Sequence, residues 1–164
     1  PLLSLKRDDN ILLISADLDW ARSITNLAHW YDFNTVYDRH KFKDKFKFDP
    51  VGNSIKMYKA FRGDNSDCIP PGCPRFPEDL LLKVIEKYTT VGMFYDNLNS
   101  IEWLPKEWKL RLEETKARVT LNYRLVDFVD DNMKVDFVTV CTSDPVKLDT
   151  LKREAKLVTN HLLW

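Results

Sequence analysis

The sequence predicts a small α/β unit at the start of the chain, followed by a mostly helical region. Three observations carry this. Ile11–Ile14 is a short apolar run rich in β-branched residues that ends in the cap and turn residues Ser15-Ala-Asp17, which suits a buried strand. Ile24, Leu27, Ala28 and Tyr31 then recur at i, i+3, i+4 and i+7, the spacing of an amphipathic helix. From Ser54 onward the apolar spacing is predominantly helical.

The elements follow in order. A strand at 11–14, a helix over about residues 18–30 and a short strand at 33–37 form a βαβ-like unit, which implies a parallel sheet. In Arg39–Phe48, basic residues alternate with Phe42, Phe46 and Phe48. Read as a strand, this puts the lysines on one face and the phenylalanines on the other. Ser54–Arg62 is helical, with Met57, Ala60 and Phe61 on one face and Gly63 as terminator. Asp64–Phe76 is a loop. Pro77-Glu-Asp opens a helix with proline at its first position and acids in its first turn, and Leu81, Val84, Ile85 and Tyr88 form its apolar face. Pro105–Asp127 reads as one or two helices and Val135–Val140 as a strand. Ser143-Asp-Pro145 caps a last helix carrying Leu148, Leu151, Ala155, Val158 and Leu162 on one side.

Composition bounds the function. At 164 residues and 19.4 kDa, the chain is one domain, or one with a small appendage, and buries enough surface to need no disulfides. Lysine plus arginine balance aspartate plus glutamate at 25 each. That excludes a uniformly basic nucleic-acid coat but not a local basic patch. No apolar run is long enough for a membrane span. The four glycines build neither a P-loop nor a dinucleotide fingerprint. Cys68, Cys73 and Cys141 lack zinc-site spacing, so free thiols in a reducing, cytoplasmic setting are expected. The chain opens with Pro1 and shows no signal-peptide pattern, which leaves a fragment or a processed product open.

Two pairs of acids stand out. Asp17 and Asp19 lie in Ser15-Ala-Asp-Leu-Asp-Trp20, at the carboxyl end of the first strand, where sites collect in open α/β sheets. Asp64 and Asp67 lie in Gly63-Asp-Asn-Ser-Asp67, just after a helix. Taken alone, the first pair reads more readily as a helix N-cap and the second as turn chemistry; the two together shift that reading. If the four carboxylates converge, their repulsion calls for cations. Hard oxygen ligands select Mg²⁺ or Mn²⁺, ions that activate water toward phosphodiesters.

At these residues the sequence resembles the 5′ nucleases, the phage and bacterial 5′–3′ exonucleases and flap endonucleases. Ser15-Ala-Asp17-Leu-Asp19 is similar to their [ST]-x-D-x-D motif, and Gly63-Asp-Asn-Ser-Asp67-Cys-Ile-Pro70 to their G-D-x-x-D-N-I-P-G motif. Leu121–Asp127 resembles a later segment more weakly. The resemblance covers roughly residues 10–130. It implies a PIN-like core, here a parallel-sheet remnant in residues 1–50, and a helix–three-turn–helix DNA clamp in residues 51–130. Residues 131–164 are expected to pack back on the core. It further implies Asp17, Asp19, Asp64 and Asp67 as catalytic ligands of a divalent metal. Duplex DNA with a 5′ end, nick or flap is the implied partner, and phage or bacterial replication the setting (host cytoplasm if phage-encoded).

The departures are specific. Cys68 replaces the family's asparagine. The glycine-rich hairpin, which presents backbone groups to phosphate and often a monovalent cation, reads Pro71-Gly-Cys-Pro-Arg-Phe-Pro77; its three prolines remove three N–H donors. The family's first half supplies further acids, and no acid pair in Pro1–Asp9 replaces them. The chain therefore resembles the C-terminal half of such a nuclease, expected to be incompetent alone and to need the N-terminal half or another assembly partner. A noncatalytic DNA-binding or structural protein that kept this half-fold is the alternative, and an interaction domain with coincidental acids a third reading.

DNA contacts are expected at Lys41, Lys43, Lys45 and Lys47 and, through the hairpin, at Gly72 and Arg75. The competing reading of the basic stretch is an edge strand with lysines set against aggregation. His29, His40 and His161 are scattered and take no role. The tryptophans are expected to pack; for Trp20, beside Asp19, DNA contact stands as the alternative.

Overall fold

The computed structural model describes residues 11–127, all within one compact unit. The strand and helix expected at 135–140 and after Pro145 lie outside the described residues. The fold is mixed α/β, with a small sheet and predominantly helical content.

The sheet has three strands in the order β1-β2-β3: β1 (Ile11–Ile14), β2 (Ala28–Tyr31) and β3 (Val36–Tyr37). β1 and β2 are parallel and pair Ile11 with Ala28 through Ile14 with Tyr31. β3 runs antiparallel to β2. The parallel pair is present as expected, but its second strand is 28–31 rather than 33–37.

The reason lies at Thr25. Leu18–Ser23 forms a short 3₁₀ segment that stops at Ile24, whose backbone is extended. The Thr25 hydroxyl accepts hydrogen bonds from the Leu27 and Ala28 N–H groups and turns the chain into β2. The expected helix over 18–30 is therefore corrected. Its spacing of apolar residues is shared between a 3₁₀ turn and a strand in which Ala28 and Trp30 alternate inward. β2 leads to β3 through a loop organised by Asp32, whose Oδ1 accepts from the Asn34 and Thr35 N–H groups at 3.0 and 2.7 Å. The strand expected over 33–37 shortens to its last two residues.

Arg39–Phe46 is a helix, α1, not a strand. Asp38 caps it by accepting from Lys41 N–H, and Lys47 ends it in the left-handed region. The helical period brings Phe42 and Phe46 together at i, i+4, with ring centroids 4.4 Å apart. Phe42 packs with Trp30, Tyr37, Phe48 and Ile55 in a core behind the sheet.

The remaining helices are α2 (Ser54–Arg62), α3 (Glu78–Lys87), α4 (Val91–Asn97) and α5 (Lys106–Leu125). The first two match their expected spans, and Pro105–Asp127 resolves as one helix. The sequence reading lacked α4, a short segment capped by Thr90. A second core, with Met57, Phe61, Phe76, Leu81, Phe94 and Leu112 at its centre, fills the space between these helices. α2 packs on both α3 and α5. No described helix is long and apolar enough to cross a membrane.

Candidate metal and DNA-binding site

The site forms where the carboxyl end of the parallel strands meets the C-terminus of α2. Asp17 is the N-cap of the 3₁₀ segment, and its Oδ1 accepts the Asp19 N–H at 2.9 Å. That turn swings Asp19 inward, where it is buried. Asp64 follows the end of α2. Reciprocal backbone bonds to Ile69, both 2.8 Å, close its loop, and Asp64 Oδ1 accepts from the Ser66 N–H and hydroxyl. The capping and turn roles open to these aspartates are thus realised, in addition to their convergence.

Carboxylate oxygens of Asp19, Asp64 and Asp67 lie within 4.8 Å of one another. Asp17 stands outside that group, yet it lines the same cleft of about 400 Å³ as Lys59, Asp64 and Asp67. The motifs that contribute these acids are more than forty residues apart in sequence.

Lys59, which sequence reasoning missed, occupies the centre. Its buried ammonium lies 2.6 Å from Asp64 Oδ2, 2.8 Å from Asp19 Oδ1 and 3.5 Å from Asp17 Oδ1. Burial works against its charge, but the bonds and charges of Asp19 and Asp64 outweigh that and raise its pKa. Burial also pushes the Asp64 carboxyl up, and the Lys59 and Ser66 hydrogen bonds outweigh it, so Asp64 titrates below the usual carboxylate value. Asp19 Oδ1 and Asp64 Oδ2 are buried and lack a hydrogen bond of good angular geometry. Both meet Lys59 as close ion pairs, and each retains lone pairs open to a cation. Three convergent carboxylates with such oxygens fit a hard divalent ion. The available signal for Lys59 was its place in α2. Lys56 and Lys59 sit at i, i+3 in a stretch otherwise apolar on both sides, and both are buried.

Lys56 serves the scaffold. Its ammonium donates to Asp127 Oδ2 at 2.5 Å and lies over the Tyr123 ring. Arg22 donates to the Val126 carbonyl, so the end of α5 is tied to both the 3₁₀ segment and α2.

The hairpin between α2 and α3 is pinned from α5. Asn122 Nδ2 donates to the Ala60 and Pro70 carbonyls at 3.2 and 2.8 Å, and Arg118 Nε to the Gly72 carbonyl at 2.8 Å. Gly72 is buried, and a Cβ there would meet the Ala60 carbonyl at 2.1 Å. Arg75 is exposed, with φ of 62°. Cys68 is exposed beside Asp67; Cys73 is buried, which pushes its thiol pKa up.

The basic stretch does not form one strip. On α1 the lysines divide between two sides. Lys45 donates to the Tyr37 hydroxyl and pairs with Asp32 at 3.5 Å. Lys43 and Lys47 line a separate cleft against α3. Lys41 is exposed. Trp20 is exposed beside buried Asp19.

No protein-family model matches the chain. It is 25% identical over 166 residues to a 5′-3′ exonuclease of Buchnera aphidicola subsp. Schizaphis graminum, covering 97% of this chain and 54% of that protein. It is 33% identical over 106 residues to DNA polymerase I of Caldicellulosiruptor bescii, covering 62% of this chain and 12% of that one. Among solved structures it shares the fold of the bacteriophage T5 5′-exonuclease, with a TM-score of 0.57, 21% identity, and coverage of 73% of this chain and 48% of that one. A T5 flap endonuclease solved with DNA and metal ions aligns at a TM-score of 0.56 and 20% identity, over 73% of this chain and 43% of that one. The chain thus spans about half the length of the exonucleases it matches.

Proposed function

We propose that this chain is a member of the 5′ nuclease family, the C-terminal part of a divalent-metal-dependent 5′–3′ exonuclease or flap endonuclease acting on DNA. The observation that carries this reading is the convergence of carboxylates from two distant motifs, buried Asp19 with Asp64 and Asp67, beside a cleft that Asp17, Asp64 and Asp67 line. In this reading Asp19, Asp64 and Asp67 hold Mg²⁺ or Mn²⁺, with Asp17 at the mouth. When bound, such an ion neutralises phosphodiester charge and lowers the pKa of a water. Lys59 balances part of the cluster's charge and helps keep Asp64 ionised. Exposed Arg75 of the hairpin, together with lysines of α1, tracks the phosphates of a duplex bearing a 5′ end, nick or flap, while Gly72, buried against the Ala60 carbonyl, lets the hairpin pack on α2 rather than meeting phosphate itself. A monovalent cation at the hairpin would share carbonyls that Asn122 and Arg118 already engage.

The domain division goes with this reading: residues 1–50 as half of the nuclease core, 51–130 as the DNA clamp and 131–164 as a closing segment. The four acids suffice for one metal site, whereas in-line phosphodiester hydrolysis is commonly served by two ions about 3.5–4 Å apart. The N-terminal half of the nuclease supplies the rest, and the 164-residue chain alone is a poor catalyst. The free thiols Cys68 and Cys73 suit a reducing cytoplasm.

A noncatalytic DNA-binding role is the second reading. The observation favouring it is Lys59, whose ammonium already neutralises part of the cluster. Two measurements separate them. Mn²⁺ binding by the purified chain, lost in Asp64→Asn, supports the metal site. Cleavage of a 5′-flap duplex in Mn²⁺ once the N-terminal half is added supports the nuclease. Mn²⁺ binding and DNA binding without cleavage in the complete assembly leave the noncatalytic reading.

A further inference from the structure

A cleft of about 560 Å³ lies at the opposite end of α2 from the acidic cluster. Lys43 and Lys47 line it from the end of α1, Asn53 and Ser54 from the start of α2, and Lys83 and Tyr88 from α3 and its end. Helix α2 has nine residues, so at 1.5 Å per residue its two ends stand about 13 Å apart. The cleft is of the size that small-molecule sites occupy.

Its charge is positive. The exposed Lys43 side chain makes no ion pair or hydrogen bond among the described residues. The Lys47 ammonium reaches the Asp44 carbonyl at 2.6 Å, which leaves its charge uncompensated. The Lys83 ammonium lies 6.0 Å from the Trp103 ring centroid and has no carboxylate partner among the described residues. Two acids also line the cleft. Asp49 is already held by Arg39 through contacts of 2.6, 2.7 and 2.8 Å, so Glu86 alone opposes the three lysines. The start of α2 adds to the same field. Asn53 gives it no side-chain cap, and the Ile55 and Lys56 N–H groups meet no acceptor among the described residues, so the positive end of the helix is unanswered. The Ser54 hydroxyl is buried in the cleft wall without a hydrogen-bond partner. These are the donors that an oxyanion takes. The rest of the wall is apolar, with half-buried Leu82, Ile85 and Tyr88.

We propose that this cleft binds a mononucleotide, with the phosphate at the start of α2 among Lys43, Lys47 and Lys83 and the base against Leu82, Ile85 and Tyr88. The charge selects a phosphate over a neutral ligand. The apolar wall selects a phosphate ester that carries a ring over inorganic phosphate. The confined volume selects a single nucleotide over a duplex. The site is separate from the acidic cluster and needs no divalent ion. It does not depend on the nuclease reading; under that reading, its ligand is of the class that phosphodiester hydrolysis releases.

The test uses the full 164-residue chain in EDTA, so that no divalent ion bridges phosphate to the acids. Deoxyadenosine 5′-monophosphate is titrated by calorimetry and by amide shifts in NMR. Saturable binding that shifts the Ile55 and Lys56 amides is expected. Deoxyadenosine and inorganic phosphate should each bind more weakly by about tenfold or more. Lys43→Gln and Lys83→Gln are each expected to weaken binding about fivefold, and Glu86→Gln to tighten it about threefold. Damage to the fold cannot produce that tightening. Lys106→Gln, which removes an exposed lysine away from the cleft, should leave binding unchanged. No saturable binding, shifts confined to Asp64–Asp67, or an affinity indifferent to Lys43, Lys83 and Glu86 overturns the proposal. Inorganic phosphate bound as tightly as the nucleotide overturns it too, leaving an adventitious anion site only. So does displacement of the nucleotide by an equal concentration of blunt duplex lacking 5′ phosphates, which would return Lys43 and Lys47 to the DNA path. Binding as expected, in a chain whose complete assembly fails to cleave a 5′-flap duplex in Mn²⁺, retains the nucleotide site and rejects the nuclease reading.

Discussion

The Lys59 ammonium lies 2.6 Å from Asp64 Oδ2 and 2.8 Å from Asp19 Oδ1, joining the C-terminal turn of α2 to acids on either side of it in sequence. A lysine here substitutes for part of the positive charge that convergent carboxylates demand. It compensates the cluster without a metal, and an ion bound here would compete with it for the same oxygens.

Removing that charge gives the first prediction. Lys59→Met leaves buried carboxylates uncompensated. Breaking a buried ion pair from one side costs about 3–5 kcal/mol, and the open cleft puts the loss near the lower figure. The thermal midpoint is expected to fall without divalent ions and to recover substantially in millimolar Mn²⁺, more than the parent chain gains. Recovery no greater than the parent's would show that the oxygens do not hold an ion.

The pH dependence follows from the same pair. Asp64 titrates below its ordinary value of 3.8 in the folded chain, so its stabilisation is fully present above that value and is lost as pH falls through the lower native one. Lys59 titrates above its ordinary 10.5, so its stabilisation is fully present below 10.5 and is lost as pH rises through the higher native one. A stability plateau between these limits is expected in denaturant titrations. Asp64→Asn should abolish this residue's acid-side dependence. An acid limb of unchanged shape in that variant would remove Asp64 from the account.

What the sequence disclosed was set by how local the determinant is. Gly63 ending α2 and Pro77 opening α3 are punctuation read from single residues, and both elements fall where expected. The two aspartate pairs were legible because their motifs are short and contiguous. The helix expected over 18–30 failed because Thr25, through its hydroxyl, ends one element and starts another inside a window whose apolar spacing fits a helix. The strand expected at 39–48 failed because alternating Lys and Phe satisfy period two, while Phe42 and Phe46 also satisfy i, i+4 and Asp38 supplies the cap. Lys59 was illegible as a site residue because its role depends on partners about forty residues before it and five after it.

Gly63 provides a backbone test. Its φ of 80° and ψ of −176° fall in a region essentially reserved for glycine. A Cβ there would also meet the Ile69 carbonyl oxygen at 2.4 Å and Pro70 C at 2.7 Å, both main-chain atoms. Gly63→Ala is expected to cost about 2–5 kcal/mol from strain and overlap together, and to weaken Mn²⁺ binding by displacing Asp64. Gly52→Ala, with φ of 58° and nothing within 4 Å of the added carbon, should cost only the conformational term, about 1 kcal/mol. Equal losses at the two positions would show that the close approach at Gly63 relaxes freely.

The helical form of Arg39–Phe46 changes what the lysines are expected to do on DNA. Residues four apart share a helix face, and residues two apart do not. Lys41 and Lys45 therefore stand together, and Lys43 and Lys47 stand across from them, lining the cleft against α3. A duplex reaches one side of a helix at a time, so one pair is expected to set the salt dependence of binding. Lys45 also holds the Asp32 loop through Asp32 and Tyr37, so Lys45→Ser should lower stability as well. The measurement is the slope of log affinity against log salt for a duplex carrying a 5′ flap. Serine at the contacting pair should flatten that slope by about 0.9 per lost phosphate contact. Serine at the other pair should leave it unchanged. Equal flattening by both pairs would mean that the four lysines contact phosphate together, as a single strip would, and that α1 does not persist in the complex.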